Sequence, residues 1–103
     1  VYEATSEQRM YLHMAAVFAC NFTNHMYALS AHMLKKHGLP FESMLPLIDE
    51  TARKVHELQP LEAQTGPAVR RDVNVMNKHL EMLVEEPKIR NIYKIISDNI
   101  QDL

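Results

Sequence analysis

Glycine is nearly missing: of 103 residues only Gly38 and Gly66 are glycine, where average usage near 7% would place about seven. A phosphate-binding loop needs glycines a few positions apart, so that the backbone can approach the phosphates closely. Neither G-x-G-x-x-G nor G-x-x-x-x-G-K-[ST] occurs, and nucleotide binding by a glycine loop within this chain is excluded. Cysteine is scarcer still. Cys20 stands alone, which excludes an internal disulfide and every multi-cysteine zinc pattern, and suits a reducing compartment. Neither sign of charge dominates, with 11 Lys and Arg against 13 Asp and Glu and a pI near 6.3. Without a basic footprint, duplex nucleic acid is not an expected partner. No cationic leader with an apolar core opens the chain, so a cytoplasmic protein is expected.

What is present is helical period. The length suits one domain, and four segments carry apolar residues at three- and four-residue steps. The first spans residues 6–36, with Ser6 as its N-cap and Tyr11, Ala15, Phe18, Phe22, Met26, Leu29 and Met33 on its apolar side. Gly38 and then Pro40 fit its stop. The second spans residues 42–58, with Leu45, Ile48, Ala52 and Val55 on one stripe and Pro46 in its first turns, where proline is tolerated. Pro60 and Gln64-Thr65-Gly66-Pro67 break the pattern. A third helix is expected from Pro67 to about Val84, with Val69, Val73, Met76, Leu80 and Leu83 inward. The fourth starts at Pro87 and carries Ile89, Ile92, Tyr93, Ile96 and Ile100. Proline at a first helical position loses no bond. The expected fold class is all-α, one long central helix packed with about three shorter ones.

The long helix poses the main physical question. From Met10 to Leu34 no Asp, Glu, Lys or Arg occurs for 25 residues. A membrane span takes about 20 apolar residues, but His13, Asn21, Thr23, Asn24, His25, Ser30 and His32 interrupt this one, and polar side chains in a span are expensive. No membrane span is expected. A helix without a charged face is otherwise a buried one. At 1.5 Å per residue it reaches about 45 Å, more than three shorter helices can cover. A homodimer or a further domain is expected to cover the rest.

Two stretches hold candidate chemistry. At 100° per residue His13, Cys20 and Asn24 share one face within about 20°, and Asn21, His25 and His32 lie on the adjacent strip. Polar groups there require partners: either a substrate, with His13 exchanging protons near neutral pH, or neighbouring helices in a core or dimer interface. No His pair has metal-ligand spacing, and no metal is expected. The second stretch is Gln64-Thr65-Gly66-Pro67-Ala68-Val69-Arg70-Arg71-Asp72. Two arginines in the first turns of a helix add charge to its already positive end. That conflict calls for an external anion, or for ion pairs to Asp72, Glu62 or a partner chain with Thr65 as the cap.

The run from Glu7-Gln8-Arg9 through Leu12-His13-Met14-Ala15-Ala16-Val17-Phe18-Ala19-Cys20-Asn21-Phe22-Thr23-Asn24-His25, followed by residues 63–72, resembles one family. It is the set of two-domain, Rossmann-like NAD(P)-dependent oxidoreductases that end in a helical domain of uncharacterised function. The wider kinship is with the 6-phosphogluconate dehydrogenase C-terminal-like superfamily, including pyrroline-5-carboxylate reductase and the deazaflavin-dependent NADP reductases. The resemblance implies a missing front half: an N-terminal Rossmann domain that carries NAD(P), none of it bound by this chain alone. It also implies a helical part that dimerises and closes over a small-molecule substrate. Hydroxyacid dehydrogenases of that superfamily place a lysine one turn before an asparagine on the corresponding helix. Here Val17 precedes Asn21 and Cys20 precedes Asn24 at that distance, so the lysine mechanism does not transfer. His13 is then the expected proton-transfer residue, with Asn21, Asn24, Gln64, Thr65 and Arg70 toward the substrate. The alternative is a non-catalytic helical module that serves association alone.

Overall fold

The computed structural model describes residues 3–103, and every regular element among them is a helix. The chain divides into two units, one ending at Leu45 and the other running Pro46–Leu103. In the first unit, α1 (Ser6–Ala16), a π-helical segment (Val17–Phe22) and α2 (Thr23–Lys36) follow without a break, joined by residues in right-handed helical conformation. The N-cap is Thr5, not Ser6. The Gln8 N–H donates to Thr5 Oγ1 at 3.1 Å and the Thr5 N–H donates to Gln8 Oε1 at 2.9 Å, a reciprocal capping box. At the far end Gly38 has φ 69°. Its N–H donates to the Lys35 oxygen at 3.2 Å and the Leu39 N–H to the Leu34 oxygen at 2.9 Å. These two bonds are the Schellman closure, and they need a left-handed residue where a Cβ is unwelcome.

The π segment revises the helical wheel. An N–H that reaches back five residues encloses one residue more than an α turn. The helix therefore falls behind by about one residue step, roughly 100°, across Val17–Phe22. Counted from His13, His25 and His32 come to within about 20°, while Asn24 is carried about 80° away. The expected sharing of a face by His13 and Asn24 does not survive; His13 shares it with His25 and His32 instead. The same slip straightens the apolar run Met10, Met14, Phe18, Phe22, Met26, Leu29 and Met33. In an unbroken α-helix these seven wind through about 160°, and here they stay within about 70°. Phe18 and Phe22 meet edge to face, ring centroids 4.9 Å apart. Thr23 Oγ1 donates to the Phe18 oxygen at 3.3 Å, supplying a partner to a carbonyl that the wide turn disturbs. The first unit closes with a 3-10 turn (Phe41–Met44), whose Phe41 ring lies 6.4 Å from that of Tyr27. None of its described residues is fully buried.

In the second unit the expected helix over 42–58 is shorter. α3 is Leu45–Lys54, entered from the 3-10 turn, and the chain then turns through 55–57. A four-residue helix, α4 (Pro60–Ala63), follows, which the sequence pattern did not suggest. The expected helix from Pro67 to Val84 is two: α5 (Pro67–Arg70) and α6 (Val73–Met82), parted by Arg71 at φ 53° and ψ 41°. Asp72 caps α6, accepting the Val75 N–H at 3.3 Å. The break puts Val69 and Val73 out of phase with the core, and both are exposed, whereas Met76 and Leu80 are half-buried and Leu83 is buried. α7 (Pro87–Asp102) begins at its proline, as expected. Its half-buried Ile89, Ile92, Tyr93 and Ile100 lie on the side that also holds buried Ser97.

Candidate functional site

His13, Asn21 and Asn24 stand on the first unit: His13 on α1, Asn21 inside the π segment and Asn24 in the first turn of α2. All three are exposed. Asn21 sits in the wide turn between the two α-helices. Counted through that turn, Asn21 falls between His13 and His25 along one polar stripe, with Val17 the apolar member. Asn24 belongs to the neighbouring face.

Gln64, Thr65 and Arg70 belong to the second unit. The Gln64 amide donates to the Thr65 oxygen at 3.0 Å, so its side chain folds onto its own loop. Thr65 does not cap α5; Gly66, at φ 103°, is the N-cap and no side chain bonds there. The two arginines divide. Arg71 Nη2 donates to the main-chain oxygen of Gln101 at 3.1 Å, and Gln101 Nε2 donates to the Ala68 oxygen at 3.2 Å. Neither arginine pairs with Asp72, whose carboxylate is engaged as a cap. Arg70 is exposed and has no hydrogen-bond or ion-pair partner among the described residues. Its guanidinium donors face solvent.

The sequence pattern missed one polar pair. His79 Nδ1 lies 2.8 Å from Tyr93 Oη, linking α6 to α7, with the rings edge to face and centroids 5.7 Å apart. Burial raises the Tyr93 pKa above its ordinary value, since the phenolate form would lose hydration. The signal was there in outline: Tyr93 sits on an apolar stripe, and a half-buried tyrosine hydroxyl needs a partner.

An open depression in the first unit, lined by Ala31, Lys35, Gly38, Leu39, Pro40 and Phe41, holds none of the candidate residues. Among the described residues no three of His, Cys, Asp and Glu gather as metal ligands would, and no helix is long and apolar enough to cross a membrane. Neither glycine stands in a dinucleotide-binding turn among the described residues. Gly38 closes a helix at its C-terminal end and Gly66 precedes a helix of four residues, so no glycine turn leads a strand into a helix.

Comparison with known proteins gives two matches of consequence. The model of a family described as a domain of unknown function, DUF2520, matches residues 1–100. A crystal structure of a protein described as a putative NADP oxidoreductase, from Bacteroides fragilis, superposes with a TM-score of 0.96 at 62% sequence identity. The alignment covers 100% of this chain and 40% of that one. No curated protein matches.

Proposed function

The chain belongs to the DUF2520 family, and on that premise we propose that it is the helical substrate-binding and association domain of an NAD(P)-dependent oxidoreductase. The observation that carries this reading is the Bacteroides fragilis relative. It is described as acting with NADP, and this chain spans 40% of its length. A chain with two separated glycines leaves the dinucleotide to the remainder, and an N-terminal Rossmann-like domain would hold it there.

The substrate is small and polar or anionic. Arg70, with its donors unspent, holds the anionic group, and Gln64 and Thr65 line the loop beside it. Within the first unit, taken by itself, Asn21 offers a donor and an acceptor through its carboxamide to a polar substrate group. His13, on the same unit, is the proposed proton-transfer residue. Asn24 contributes from the adjoining face. The domain associates as a homodimer through the long helix, whose apolar side is otherwise open to water, and it works in the cytoplasm, where the exposed Cys20 stays reduced.

One observation favours the second reading, a module for association alone: none of the six candidate residues is buried or drawn into the depression of the first unit. The coding sequence upstream of Val1 separates the two. A strand, a G-x-G-x-x-G turn and a helix there support the oxidoreductase; an unrelated segment supports the module.

A further inference from the structure

On the reading of Arg70 proposed above, we infer that Arg71 and Gln101 are positioning residues for it: their clasp pins the main chain on both sides of Arg70, so that its guanidinium meets the substrate's anionic group from a fixed root.

Arg70-Arg71-Asp72 puts two like charges and a counter-charge on adjacent residues. In the fold they go three ways. Arg71 Nη2 donates to the Gln101 oxygen at 3.1 Å, in the last turn of α7, where the negative end of a helix accepts a cation. The Asp72 carboxylate accepts the Val75 N–H at 3.3 Å and caps α6. Arg70 alone is left exposed and without a partner among the described residues. Its like-charged neighbour, which would repel it at close range, is committed to α7.

The backbone around Arg70 is pinned before and after it. Two residues before, the Ala68 oxygen accepts twice, from the Gln101 amide at 3.2 Å and from the Arg71 N–H at 3.1 Å. Directly after, Arg71 lies at φ 53°, the one non-glycine residue in the left-handed region among those described. The Asp72 N–H then closes back on the Pro67 oxygen at 2.9 Å. A side chain persists in that region only where its surroundings over-determine it, and such residues gather at ligand clamps. Glycine would make the same turn without strain; what the arginine adds is the bond to α7. Ala68 is buried and Gln101 half-buried, so the anchors are packed while Arg70 stays in water.

The clasp supplies preorganisation. A long side chain loses freedom when it grips a ligand, and that loss is subtracted from affinity. With its root fixed in advance, Arg70 has only its own rotamers left to order. Its planar fork then offers an oxyanion paired donors in one orientation. Arg71 and Gln101 act through Arg70 and do not touch the anion.

Titration of inorganic phosphate into the 103-residue chain, followed at the Arg70 Nε–H and main-chain N–H resonances, tests the clasp. Four variants are compared. Arg70→Gln removes the anion holder. Gln101→Ala and Gln101→Met break the anchor at Ala68 without changing net charge, the second keeping the volume. Arg71→Gly removes the bond to α7 and the strain together. The parent should bind phosphate at Arg70, and Arg70→Gln should lose the response. Both Gln101 variants, folded by circular dichroism, should weaken binding at least threefold, and Arg71→Gly at least as much. Affinity equal to the parent's in the folded Gln101 variants overturns the positioning role; a loss confined to Arg71→Gly then reports only its missing charge. An Arg70 that does not respond to phosphate in the parent, or an Arg70→Gln that binds as the parent does, overturns instead the reading of Arg70 beneath it. Should Gln101→Ala fail to fold, Gln101→Met decides.

Discussion

Arg71 and Gln101 hold each other across 30 positions of sequence, the guanidinium donating to the Gln101 main-chain oxygen while the Gln101 amide reaches the oxygen of buried Ala68. The exchange fastens α5 to the last turn of α7. Arg71 makes it from the left-handed region at φ 53°, which disfavours a side chain by about 1–2 kcal/mol.

Substitutions at Arg71 should therefore rank in an unusual order. Arg71→Ala loses the bond and keeps the strain; Arg71→Gly loses the bond and relaxes the backbone. The glycine variant should be the more stable of the two by about 1 kcal/mol, read from urea midpoints at unchanged slope. Equal midpoints would show that the left-handed turn carries no strain.

Tyr93→Phe should cost about 1 kcal/mol, because the half-buried His79 nitrogen loses its partner at 2.8 Å. The variant also has a pH signature. Burial raises the folded-state pKa of Tyr93 above its value near 10 in the unfolded chain. The folded state then holds the phenolic proton more firmly, so stability is retained below pH about 10 and lost as pH rises through the folded value. Thermal melts across the alkaline range should show that loss in the parent and a smaller one in Tyr93→Phe.

His13→Ala should leave stability within about 0.5 kcal/mol, as exposed substitutions do, since His13 makes no buried contact. In the two-domain oxidoreductase proposed above, the same change should lower turnover at least tenfold. A variant that unfolds instead, with turnover per folded molecule unaltered, would return His13 to a packing role.

Three helix ends were legible, to within a residue, because each depends on local chemistry. Pro87 opens α7 and Gly38 closes α2 where their backbone preferences say, and the cap lay one residue from Ser6 because Thr5, not Ser6, stands three before Gln8. The interruptions were not legible from a 3.6-residue template, which presumes continuity. The run Met10, Met14, Phe18, Phe22, Met26 held the clue, four-residue steps with no three-residue correction. Asp72 held another, as a capping residue just before Val73 in what read as one helix. The candidate site shared the first error: His13 and Asn24 were aligned by a wheel that the wide turn resets, while the partner of Arg71 lies too far along the chain for spacing to reveal.

On the proposed function, this chain serves a dinucleotide enzyme without holding the dinucleotide. Calorimetry with NADPH, run on the 103-residue chain and on the proposed two-domain protein, is the test. No binding to the chain alone and micromolar binding to the longer protein is the result expected. Micromolar binding to the chain alone, or none to either, would contradict it.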